Sequence, residues 1–329
     1  MEHAHKSSGN KTIERHMVMQ PKRARAILPP SRASGAIALL RGHQTHPSER
    51  RRGGVQASHM GDGGSDRVWA EHYIRTTSLR DKLTAPPAGL WCGEESIAAP
   101  VAPGRPARLK VAAVGLPTPK LKALQAADKR AQLVHTFWHH ELQAAELMCW
   151  ALLAYRDTPR SFRRGLVAIC ADEIRHMHMY NAYLEQLGFG VGDFPVRDWF
   201  WLRLPACKTP LSYVATMGVG FEGGNLDHTA RFAARFRRVG DVAGASLQEQ
   251  IGSEEVAHVR FAWHWYQRWS GNASFDHWRS QLPAPLSPLL MRGRPLAREA
   301  RRAAGFSGDF IDALAGWKMD MPRAGETET

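Results

Sequence analysis

Two short stretches carry residues whose types and spacing could do chemistry: Ala171-Asp-Glu-Ile-Arg-His176 and Ser253-Glu-Glu-Val-Ala-His258. In each, a Glu stands three residues before a His, so on an α-helix the carboxylate and the imidazole share one face, one turn apart. A further carboxylate precedes each pair at a matching distance, Glu141 lying 32 residues before Glu173 and Glu222 lying 33 before Glu255. A half-unit of about 33 residues suits two antiparallel helices and a short turn. The six residues Glu141, Glu173, His176, Glu222, Glu255 and His258 are therefore expected to ligate a pair of metal ions. The arrangement is that of carboxylate-bridged di-iron and di-manganese centres, with one Glu from each of two helices and Glu-x-x-His from each of the other two. Oxygen and nitrogen donors without thiolate suit two iron ions, with manganese or a mixed pair as alternatives and zinc compatible by ligand type. Glu173 and Glu255 are expected to bridge, His176 and His258 to bind one metal each, and Glu141 and Glu222 to bind one each or bridge. Two divalent cations would balance four carboxylates, which makes their burial tolerable.

Around this set the sequence offers supporting groups. Asp172 and Glu254 precede the two Glu-x-x-His turns and lie about 100° off the ligand direction, placed to accept the free N–H of an imidazole on a neighbouring helix. Tyr180, four residues after His176, falls on the ligand face as a candidate proton-donating or redox-active phenol; a core tyrosine with a satisfied hydroxyl is the competing reading. Glu146 falls about 140° from Glu141 and His139 almost opposite it, so both are expected on the solvated face. His135, His140, His178, His228 and His264 lack partners at ligand spacing and are read as surface or supporting residues.

The elements that must position these groups are helices. A first long helix is predicted over 121–156, where Val134, Phe137, Ala144, Ala145, Met148 and Leu152 fall within about 60° of Glu141. Thr158 followed by Pro159 predicts an N-cap with proline at N1, opening a second helix that Gly188 closes. Residues 188–208 hold glycines, prolines and the run Asp198-Trp-Phe-Trp201, and read as a long crossover whose aromatics cover one end of the helices or form a lid. Thr209-Pro210 opens a third helix ending at Gly240, and Asp241 caps a fourth ending at Gly271. Gly218, Gly220, Gly223 and Gly224 crowd Glu222, which predicts close backbone approach or a π-bulge there. A short helix is expected at 68–75 and weaker ones at 296–304 and 309–315. The fold expected is all-α: a four-helix bundle with a long crossover between the second and third helices, wrapped by N- and C-terminal segments. Four segments follow: a disordered basic extension over 1–60, with Met17 or Met60 as alternative starts, an N-terminal wrap over 61–120, the bundle over 121–271 and a C-terminal wrap over 272–329.

Charge narrows the partners. The chain carries +13 overall, but residues 1–60 hold 11 Lys/Arg against 3 Asp/Glu, leaving only +5 for the other 269. A nucleic-acid partner is therefore weakly supported. The four cysteines form no C-x-x-C pair, which predicts reduced thiols in a cytoplasmic protein, and no apolar run reaches the roughly 18 residues of a membrane span.

These motifs resemble the ferritin-like superfamily and, within it, the bacterial family known as domain of unknown function 455. The resemblance covers about 69–316 and is carried by Thr77-Ser-Leu-Arg-Asp-Lys-Leu83, Ala102-Pro-Gly-Arg-Pro106, His139-His-Glu-Leu142, Phe194-Pro-Val-Arg-Asp-Trp-Phe200 and Pro285-Leu-Ser-Pro288. Asp172-Glu-Ile-Arg-His176 is also similar to a helix motif of bacterial multicomponent monooxygenases, and the His176-to-Tyr180 spacing resembles that of ribonucleotide reductase small subunits. The second copy differs, with Glu254 for Asp and Ala257 for Arg. Together these imply an oxygen-dependent oxidoreductase taking dioxygen, a small-molecule or modified-nucleotide substrate and electrons from a donor protein. An iron-binding, ferroxidase-type protein and a metal-free structural bundle are the alternatives.

Overall fold

The computed structural model describes residues 64–319; the extension expected to be disordered, 1–60, lies outside them. Among the described residues the chain is all-helical, with two isolated β-bridges and no strand. Helix α1 (Asp66–Arg75) and the single turn α2 (Leu79–Lys82) come first. The proline-rich stretch that follows contains no helix until Leu121. Ser65 caps α1 by accepting from the Arg67 amide, which places its start two residues earlier than expected.

Three long helices are α3 (Ala127–Ala154), α4 (Arg160–Gln186) and α7 (Val242–Ser270). The helix predicted over 121–156 starts late, because a 3₁₀ turn at Leu121–Gln125 ends on the extended Ala126. Pro159, not Thr158, occupies the N-cap position of α4, since its ψ of 144° is extended. The Thr158 hydroxyl instead donates to the Tyr155 carbonyl. Gly188, at φ 84°, ends α4 as expected, and Asp241 and Gly271 delimit α7 as expected.

The third rod is composite. It runs from α5 (Pro210–Val214), capped by Thr209, through a π-helical stretch at Ala215–Glu222 into α6 (Gly223–Arg238). A Cβ at Gly218 would stand 2.1 Å from the Ala262 Cβ of α7, so only glycine permits this approach. Helix α3 packs against α4, α6 against α7, and α4 against α7, while α1 lies on α3.

The flanking segments are held by buried ions. Glu146 of α3 accepts from Lys82 at 2.8 Å, from Arg105 and from the Trp201 indole, while Arg105 also grips Asp198 and His139 contacts Asp198 at 2.9 Å. Glu146 is wholly buried and His139 is 1% exposed, so the solvated placement expected for both is corrected. A wheel drawn on one helix counts only that helix, and the segments holding Lys82, Arg105 and Asp198 cover this face. His135 is buried too, accepting from the Gly192 amide.

At the other end come α8 (Phe275–Ser280), which the pattern of the sequence does not suggest, α9 (Arg298–Ala303) and α10 (Gly308–Gly316). Asp227 of α6 pairs with Arg301 at 2.7 Å and accepts from the amides of Gly293 and Ala297, anchoring this segment. No described helix is long and apolar enough to cross a membrane.

Candidate metal centre

The six residues singled out by spacing come together from four helical stretches. Glu141 projects from α3, Glu173 and His176 from α4, Glu222 from the last turn of the π-helical stretch, and Glu255 and His258 from α7. All six are at most 5% exposed. They form two overlapping groups whose donor atoms lie within 4.8 Å of one another: Glu141, Glu173, His176 and Glu255, and Glu173, Glu222, Glu255 and His258. Glu173 and Glu255 belong to both. Each group could hold one ion, with those two carboxylates shared between the ions.

Both imidazoles turn Nδ1 inward. His258 Nδ1 lies 3.0 Å from Glu173 and 3.2 Å from Glu255, and His176 Nδ1 lies 3.4 Å and 3.6 Å from the same two carboxylates. Nε2 points outward, and here the two halves cross. His176 Nε2 meets Glu254 of α7 at 2.8 Å, and His258 Nε2 meets Asp172 of α4 at 3.3 Å. Each acid thus serves the imidazole of the opposite helix. Arg175 joins them, donating to Glu254 at 2.6 Å and to Asp172 at 2.9 Å, so one arginine supports both halves and Ala257 needs no counterpart.

The donors fit cations better than they fit one another. Both Glu173 oxygens, one oxygen each of Glu222 and Glu255, and His176 Nδ1 are buried without a hydrogen-bond partner. Buried polar atoms are seldom left so, and several converging on one point mark a site completed by something else. Burial, then the neighbouring Glu173, holds the Glu141 carboxyl well above its ordinary range; burial, then Glu255, does the same for Glu222. Burial would push Glu173 up, yet the two imidazoles hold it far below. Burial would lower both imidazoles, but the carboxylates around them raise both.

A cavity of about 490 Å³ reaches this cluster, lined at its inner end by Glu141, Glu222 and Tyr180. The Tyr180 hydroxyl accepts a hydrogen bond from Gln248 at 2.9 Å, and burial, then Glu141, keeps the phenol protonated far above its ordinary range. His140 and His228 also line it, and burial, reinforced for His140 by His139 and for His228 by Arg231, lowers them to about 3 and about 4. Reading each histidine alone missed these two. The signal for His228 was the i, i+3, i+6 row Glu222, Asn225, His228, all cavity residues. Gln248 stands seven residues before Glu255, on the same helical face, and was missed for the same reason. The aromatic run divides: Trp199 and Phe200 line the cavity, while Asp198 and Trp201 join the buried ion network.

No curated protein and no solved structure matches the chain. Residues 66–312, a span that includes all six clustered residues, match the family described as Protein of unknown function (DUF455), and the chain belongs to that family.

Proposed function

We propose that the protein is a ferritin-like four-helix bundle that holds two divalent metals, iron foremost, and works as an oxygen-dependent oxidoreductase on an organic substrate. One observation supports this: two four-donor groups share Glu173 and Glu255, while five of their donor atoms make no well-aligned hydrogen bond among the described residues. When bound, a pair of iron ions supplies the electrons and Lewis acidity that reaction with dioxygen requires.

The chain's own groups prepare that chemistry. Asp172 and Glu254 hold the Nε2–H of His258 and His176, which fixes the tautomer and presents each Nδ1 lone pair inward. Phe137 and Phe232, whose rings sit 4.8 Å apart, make the cavity wall apolar. Tyr180 keeps its phenolic proton on Oη beside the carboxylates, with Gln248 orienting that oxygen, so it can donate a hydrogen bond at the inner end.

The cavity favours this reading over a ferroxidase without organic substrate, since its volume falls in the roughly 300–1,000 Å³ range of small-molecule sites. The test is oxygen uptake by the iron-loaded, chemically reduced chain. Uptake that Glu255→Ala abolishes supports the proposal; uptake no faster than that of free ferrous iron contradicts it.

A further inference from the structure

Outward from the carboxylates the cavity changes character. Its walls are aromatic, with Phe137, Trp199, Phe200, Phe221 and Phe232. Its outer lining includes solvent-facing apolar side chains: Val114 is 77% exposed, Leu290 47% and Leu116 38%. Apolar groups left in water around an opening mark a surface that an apolar ligand covers.

Beside them lie arginines that pair with no carboxylate among the described residues. Arg197 lines the cavity, and a Cβ on the lining residue Gly115 would stand 3.8 Å from its Cδ; it pairs with no carboxylate among the described residues, and its Nε is buried without a partner among them. Arg231 donates to Nδ1 of the lining residue His228, at 3.0 Å, stacks on Phe232, and has a buried Nε without a partner among the described residues. Arg203 stacks 3.9 Å over the Trp199 ring and donates to that residue's carbonyl. Among the buried arginines, Arg163 and Arg301 grip carboxylates, while Arg67 and Arg292 donate to backbone carbonyls. A partly desolvated guanidinium with an unmet donor in an apolar setting matches a carboxylate, whose two oxygens fit its planar fork. The inner end presents the carboxyl groups of Glu141 and Glu222 and the mouth presents Arg197, so an anionic head belongs at the mouth and a hydrocarbon body belongs inside.

We propose that the cavity takes an apolar carboxylic acid, its carboxylate held at the mouth by Arg197 and its body laid between the aromatic walls toward Glu141 and Glu222. Arg231 and Arg203 add positive potential there. Oxidation of that body rests on the oxidoreductase reading; binding of the acid does not.

The test compares 2-naphthoate with the neutral 2-naphthalenemethanol by calorimetry on the full chain, with metal content measured in the same samples. The acid is expected to bind about tenfold tighter, as a charge-assisted hydrogen bond warrants. Arg197→Gln is expected to reduce the acid to the level of the alcohol and leave the alcohol unchanged. Equal binding by the two probes, or an acid preference that survives Arg197→Gln, overturns the proposal. Where Arg197→Gln fails to fold, as judged by its melting curve, the comparison on the natural chain decides alone. Two bound metals without an acid preference overturn this inference and leave the metal reading standing. An acid preference in a chain that binds no metal supports the inference and removes the oxidoreductase.

Discussion

Glu254 and Asp172 each touch an imidazole from the opposite helix, and that crossing gives the cluster its rigidity. Hydrogen-bonded partners of this kind set ligand basicity and orientation, and their loss costs about 10- to 100-fold in metal affinity. Glu254→Ala and Asp172→Ala are each expected to show that loss in a competition titration against a chelator of known affinity. Arg175→Ala should show less, because it touches the acids and not the imidazoles. The two acids are legible in the sequence, since a residue one position before a helical ligand must lie on its flank. The single arginine serving both halves is not, because the sequence of one helix does not reveal what a second one lacks. Asp198 yields a pH dependence. Burial would raise its carboxyl, but His139 and Arg105 outweigh that and bring it down to about 2, below the roughly 3.9 of an unfolded Asp. A depressed folded-state value means stability that is complete above about pH 4 and lost as pH falls toward 2. Denaturant midpoints measured between pH 5 and 2 should fall through that window, and Asp198→Asn should flatten the slope.

Among the elements, helix ends that follow local capping rules are readable: Thr209-Pro210, Asp241, Gly188 and Gly271 all act as their types suggest. Thr158 does not, because its hydroxyl finds the nearer Tyr155 carbonyl. The glycines around Glu222 announce something unusual, and both readings of them hold: a π-helical stretch ends on Glu222, and Gly218 lies against α7. Their cost in helix propensity, about 1 kcal/mol each, is offset by the approach they allow. Gly218→Val should destabilise the chain by about 1–3 kcal/mol through overpacking, read from urea midpoints, and should lower metal affinity by displacing Glu222.

At the scale of the whole molecule, the segments before α3 and after α4 reach α3 through buried charge. Arg105 links Glu146 of α3 to Asp198 of the crossover, and Lys82 caps the same carboxylate. Stripping one partner from such a network leaves a buried charge unmet, so Arg105→Ala is expected to cost about 3–5 kcal/mol in chemical denaturation. This network is invisible to periodicity because its members are far apart in the chain, Arg105 and Asp198 being 93 positions apart. The clustered Glu and His residues are visible because two copies of one spacing each sit inside an apolar stripe. The cavity is not, because its walls come from many segments. Metal removal belongs to this scale too: a ligand bound only by the folded state adds to stability, so chelation should lower the melting temperature and ferrous iron should restore it.

The sharpest test counts metals in the full chain after anaerobic loading with ferrous iron and removal of the excess. Because Glu173 and Glu255 belong to both groups of donors and Glu141 to only one, the account predicts two irons per chain, both lost in Glu255→Ala and one retained in Glu141→Ala. Fewer than one tightly bound metal per chain, or two that survive Glu255→Ala, would contradict it.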